Sequence, residues 1–210
     1  NYGAERFSLD NMKFVISGKI KSKEAKQEIN KLLNLMQGDV PLPIKLNKVD
    51  FKQKKSEFLK FDKEQHQYQF VVPILHNKSE KEFYAYYITN NILGASGLNS
   101  RLSKYFRERK SLTYSIRTQI KSHALFSLIF FEFESKSKNS KKIVKLFKNF
   151  ILNLDKNQIS EDELSDTKKN ITSSFSNYFI KNENIANYII DSLIHDLPYD
   201  FINQRNQLIN

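Results

Sequence analysis

The chain has 210 residues, 40% hydrophobic and 13% aromatic, with a formal net charge of +11. That size and apolar content exclude a disordered chain and allow a real core. The absence of cysteine excludes disulfides and thiolate metal sites, and no apolar run approaches the ~18–20 residues of a membrane helix. No signal-peptide pattern opens the sequence. It begins at Asn1 and leads almost at once toward a strand, which predicts a piece of a longer protein. None of this fixes a compartment.

In chain order, Met12–Ser17 predicts a short strand closed by Gly18. Ser22 is placed to cap a helix whose Ala25, Ile29, Leu32, Leu33 and Met36 share one face, with Gly38 at its end. Residues 39–55, with Pro41 and Pro43, read as a loop. Strands are predicted at Glu57–Phe61 and Gln67–Leu75, the second alternating Tyr68, Phe70, Val72 and Ile74 with Gln67 and Gln69. A helix over Ser79–Leu93 carries Phe83, Tyr84, Tyr87 and Ile88 inward and breaks at Gly94 and Gly97. A second covers Ser100–Arg109, with Leu102 and Phe106 on one face. Thr113–Ile120 and His123–Glu134 follow as strands, the latter apolar on both faces and therefore central. Three helices complete the chain: Ser140–Leu154, one entered through the capping pair Ser160 and Glu163, and Glu183–His195, ended by Pro198. The order predicts a single α+β domain over residues 1–210. It is a two-layer sandwich with an antiparallel or mixed sheet of about five to six strands and helices on one face.

Catalytic chemistry is scarce. A helical zinc site of the His-x-x-Glu-His kind needs two ligands on one helix face. None of His66, His76, His123 and His195 has a second histidine within five residues. His76 and Glu80 straddle a strand-to-helix turn and read as a turn histidine and an early-helix acid favoured by the dipole. With only five glycines, a phosphate cradle is not expected. The basic run Arg101, Lys104, Arg107, Arg109, Lys110 reads as a solvated face rather than a nucleic-acid element. The other lysines are spread from Lys13 to Lys181, so the net charge carries no nucleic-acid footprint. Arg107 and Tyr114, across the predicted helix–strand junction, are left without a packing role.

The stretch Leu93-Gly94, Ser100-Arg101-Leu102, Phe106-Arg107-Glu108-Arg109, Leu112-Thr113-Tyr114-Ser115-Ile116 resembles a signature of the insulinase, pitrilysin and mitochondrial processing peptidase family of zinc metallopeptidases, in its non-catalytic domain. Leu9–Gly18 and Leu197–Ile202 resemble the family's flanking segments. The sequence departs from the pattern at Ala95, Ser96 and Ser111, where the family has glycine. The resemblance implies a domain that clamps an unfolded peptide against a catalytic domain of the same fold, on the same chain or another subunit. Zinc is then expected in that partner and no cofactor in this fragment, which should be inactive alone. Arg107 and Tyr114 carry over as the substrate-binding pair, and no metal residues carry over. Neither nucleic acid nor membrane is an expected partner. The alternatives are a proteolytically inactive scaffold homologue and, behind it, a basic nucleic-acid module.

Overall fold

A computed structural model describes residues 12–35, 50–52, 55–59, 62–156 and 158–210. The chain divides into two compact units. The larger comprises residues 50–173 and 202–210, the smaller residues 1–49 and 174–201.

The larger unit is built on three antiparallel strands, β1 (Gln65–Ile74), β2 (Ile116–Ser122) and β3 (Ser127–Lys136), in the order β1-β3-β2. The central place of β3 follows from its composition. Ile129, Phe131 and Phe133 are buried on one face, and Leu128 and Phe130 are half-buried on the other. Register is set by aromatic pairing: Tyr68 opposes Phe133 with rings stacked at 5.0 Å, and Phe70 opposes Phe131. The opposite face is polar at one end. There Gln67 Nε2 donates to Glu134 at 2.8 Å, and Gln69 Nε2 and Arg117 Nε both donate to Glu132, at 2.9 and 3.0 Å. These donors, Gln69 first, hold the Glu132 carboxyl below the ordinary carboxylate range.

The expectation of five to six strands is corrected to three among the described residues. Residues 12–17 and 55–59 have no ladder. An apolar run becomes a strand only when a neighbour accepts its backbone bonds. Phe58 and Leu59 are 78% and 75% exposed, and so lack the packing that would hold them at a sheet edge. Phe61, Met36, Gly38, residues 9–11 and most of the 39–55 loop lie outside the described residues.

Helices cover the buried face of the sheet. α2 (Glu82–Asn90) buries Phe83, Tyr84 and Ile88, as its periodicity predicts. It runs on through Gly94 as a π-helical segment, Asn91–Ala95, instead of breaking there. A second π-helical segment, Ser103–Arg109, occupies most of the predicted basic helix. α3 (Ser140–Leu152) buries Ile143 and Phe147, and the Phe147 ring lies 4.5 Å from Phe70 and 5.4 Å from Phe131. With Leu102, Phe106 and Leu112 these residues form one core cluster. α4 (Glu161–Tyr178) buries Ile171. α6 (Phe201–Ile209) is a helix that the pattern reading missed, although Asp200 precedes an apolar set of Phe201, Leu208 and Ile209.

In the smaller unit, α1 (Ser22–Asn34) half-buries Ala25, Ile29 and Leu33. Its cap position is Lys21, not Ser22: the Glu24 carboxylate reaches back to the Lys21 N–H at 3.3 Å. α5 (Asn182–Ile194) packs Tyr188 on Phe175 and Phe179, at ring distances of 5.6 and 5.2 Å. Among the described residues no helix is long and apolar enough to cross a membrane.

Candidate functional site: the helix–strand junction at Arg107 and Tyr114

The junction lies between the Ser103–Arg109 segment and β2. Leu102 and Phe106 are fully buried and fix the helix face against the sheet. The helix closes with Lys110 N–H donating to the Tyr105 carbonyl at 3.1 Å and Leu112 N–H to the Phe106 carbonyl at 2.9 Å. Between these donors Ser111 sits at φ 49, in the left-handed region. This is the glycine-type helix stop. It explains the family's glycine at this place, and it shows that serine keeps the same turn at a cost of roughly 1 kcal/mol.

Downstream, the chain is tied to its neighbours. Ser135 Oγ on β3 donates to the Leu112 carbonyl at 2.6 Å. Thr113, itself buried, donates its hydroxyl to the Ser115 carbonyl at 2.7 Å and accepts from the Ser115 N–H at 3.2 Å. That clasp bends residues 113–115 and leaves the residue between, Tyr114, 78% exposed. Tyr114 therefore stands in the turn before β2, not at the start of a strand as the sequence predicts. Arg107 lies in the last turn of the preceding helix, half-buried, and its side chain makes no hydrogen bond or ion pair among the described residues. The structure thus brings both residues to one helix-to-strand turn. Thr113 and Ser135 are the supporting residues that sequence reasoning overlooked. The Thr-x-Ser spacing around Tyr114 was the available signal for the first, and nothing in the sequence pointed to the second.

The other departures, Ala95 and Ser96, lie outside the positive-φ region that only Ser111 and Asp196 enter among the described non-glycine residues. Ser96 adopts φ −77, which any residue takes without strain, so glycine is not needed there. Gly94 is different. A Cβ there would lie 2.5 Å from Thr118 Cγ2 and 2.8 Å from the Thr118 backbone nitrogen. Only glycine lets this π-helical segment lie so close to β2, where Thr118 Oγ1 donates to the Asn90 carbonyl at 3.1 Å.

Arg101 contrasts with Arg107. Its Nε donates to both Glu163 carboxylate oxygens, at 2.9 and 3.2 Å. A terminal nitrogen also donates to Glu163 and, at 3.0 Å, to the Gln158 carbonyl. These bonds hold the Glu163 carboxyl below the usual range and raise the guanidinium above its own. Arg101 fixes the helix start through a carboxylate and a carbonyl. The capping pair is accordingly only half used: Glu163 N–H donates to Ser160 Oγ at 3.2 Å, while its carboxylate serves Arg101.

His76, Glu80 and Glu82 come within 4.8 Å of one another through their potential ligand atoms. His76 Nδ1 lies 2.9 Å from Glu80 Oε2, and the Asn77 N–H donates to Glu80 Oε1 at 2.9 Å. The Asn77 bond, with His76 behind it, holds the Glu80 carboxyl below its ordinary value. This is a local turn clasp, with one histidine where a helical zinc motif has two on one face. The family's zinc ligand set has no counterpart in these residues.

Several solved structures share the fold, among them the three that follow. The peptidase M16 inactive domain from Pseudomonas fluorescens is 20% identical over 70% of this chain and 35% of that one, with a TM-score of 0.60. A protease from Helicobacter pylori is 18% identical over 92% of this chain and 47% of that one, with a TM-score of 0.69. The periplasmic protease PqqL from Escherichia coli is 19% identical over 91% of this chain and 21% of that one, with a TM-score of 0.64. The chain thus spans less than half the length of each. Comparison with curated protein sequences gives no significant match. The family model described as Peptidase M16 inactive domain matches residues 1–171, and the chain belongs to that family, a non-catalytic domain of the protease class to which the resemblance pointed.

Proposed function

We propose that this domain is the substrate-clamping, non-catalytic part of a zinc metalloendopeptidase that cleaves unfolded peptides. It would pair with a zinc-bearing domain of the same family, on the same chain or another subunit. In this reading Arg107 and Tyr114 face the bound peptide. The observation that carries it is the contrast in how the fold treats its polar side chains: it fixes the turn from Ser111 to Ser115 with several bonds, yet leaves Tyr114 projecting and gives the Arg107 side chain no partner among the described residues. A structural arginine would resemble Arg101.

The partner's metal supplies the nucleophilic water of peptide hydrolysis. This chain supplies donors. The Arg107 guanidinium and the Tyr114 phenol can donate to the peptide carbonyl oxygen on which negative charge develops, and their rigid backbone support limits reorganisation. The outer edges of β1 and β2, with no strand partner among the described residues, offer backbone groups to an extended peptide, independent of its side chains.

The test is peptide cleavage by the full-length protein carrying Tyr114→Phe, which removes only the hydroxyl. Turnover is expected to fall at least about tenfold, the smaller end of what a lost transition-state donor costs. Undiminished turnover removes Tyr114 from the site.

A further inference from the structure

On the helical side of the larger unit a groove of about 480 Å³ runs between the Ser103–Arg109 segment and α3. Lys104 and Arg109 line it with the amides Asn149 and Gln158, above an apolar floor that includes Leu146 and Phe150. Among the described residues no carboxylate lines it. Glu163, whose charge Lys104 feels, is taken by Arg101. Lys104 and Arg109 are exposed, and their side chains make no hydrogen bond or ion pair among the described residues. Lys142 and Lys145, one turn before Leu146 and Asn149 on α3, are also exposed and add to the positive field. Neither Arg107 nor Tyr114 lines the groove.

We propose that this groove binds an acidic peptide segment whose carboxylates flank an apolar side chain. Each part of the lining has a counterpart in such a ligand. Carboxylates make charge-assisted bonds to Lys104 and Arg109. Peptide N–H and C=O groups pair with the Asn149 and Gln158 amides, which can donate and accept. The apolar side chain lies on Leu146 and Phe150, in a volume within the usual range for a ligand site. A single-stranded nucleic acid fits less well. Its bases need open aromatic faces, and here the rings are spent on one another. Tyr105 lies 5.5 Å from Phe150 and 4.9 Å from Phe106, and Lys110 Nζ sits over the Tyr105 ring. The groove is a second anchoring point, separate from the Arg107–Tyr114 junction, and it stands whether or not that junction touches substrate.

The test is an anisotropy titration of the intact protein with a short fluorescent peptide of alternating glutamate and leucine. A single-stranded oligonucleotide of equal charge serves as competitor. The peptide is expected to bind, to lose about tenfold or more in affinity when Lys104→Glu and Arg109→Glu are combined, and to resist the oligonucleotide. Both positions are exposed, so the Tm of the double variant should stay put. The proposal is overturned by an absence of binding, by equal affinity in the double variant, or by an oligonucleotide that displaces the peptide from the groove.

Discussion

Arg101 and Arg107 share one helical region, yet the fold treats them in opposite ways. Arg101 is enclosed by the Glu163 carboxylate and the Gln158 carbonyl, and its charge is used to join the helix start to α4. Arg107 has no such partner among the described residues and stands at the other end, beside a turn that the protein fixes with Ser111, Thr113 and Ser135. A charge that is paired explains part of the stability. A charge left half-buried and unpaired beside a rigid turn costs some desolvation without return in the isolated domain. The difference separates residues that build the scaffold from residues that the scaffold displays.

The core beneath both arginines should dominate any stability comparison. Phe106→Ala removes a fully buried ring from the cluster and is expected to cost about 3–5 kcal/mol in denaturant unfolding. Gly94→Ala should cost about 1–3 kcal/mol, because its new methyl meets the Thr118 backbone as well as its side chain. A Gly94→Ala variant of unchanged stability would mean that the π-helical segment lies farther from β2. Arg101→Ala should cost about 1–2 kcal/mol, the value of a partly buried charge-assisted pair.

That pair also carries a pH signature. The Glu163 carboxyl is held below its ordinary value of 4.5. Its contribution is therefore complete above that value and is lost as pH falls through the lower, folded-state value. The stability gap between the native protein and Glu163→Gln should be constant near neutrality and close only under acid, below pH 4.5. A gap that closes at higher pH would contradict the pairing. The smallest effect, of opposite sign, is at the turn: Ser111→Gly should stabilise by up to about 1 kcal/mol, since glycine takes the left-handed φ without strain.

Much of this was legible in the sequence, for physical reasons. Helix faces such as Ile143 with Phe147, and the alternation of Tyr68 and Phe70 against Gln67 and Gln69, are local patterns that burial reads directly. The central position of β3 followed from apolar residues on both faces. Pairing was less legible: Met12–Ser17 has a strand's composition, but a ladder depends on a partner that composition cannot supply. The π-helical segments were invisible because a change from one backbone acceptor to the next leaves no mark on residue type. Gly94 illustrates this, since it reads as a breaker and serves as a close-approach point. At the site, the helix stop at Ser111 was marked by the family's glycine, whereas the Ser135 bond that steadies Leu112 joins residues far apart in sequence.

The most direct test sets the two arginines side by side in the full-length protein, measuring peptide-cleavage kcat/KM and Tm for Arg107→Ala and Arg101→Ala. Arg107→Ala is expected to lose at least about tenfold in kcat/KM with Tm essentially unchanged, and Arg101→Ala to lower Tm while the protein that remains folded cleaves normally. An Arg107→Ala protein that cleaves at the native rate, or that loses stability as Arg101→Ala does, would contradict that expectation.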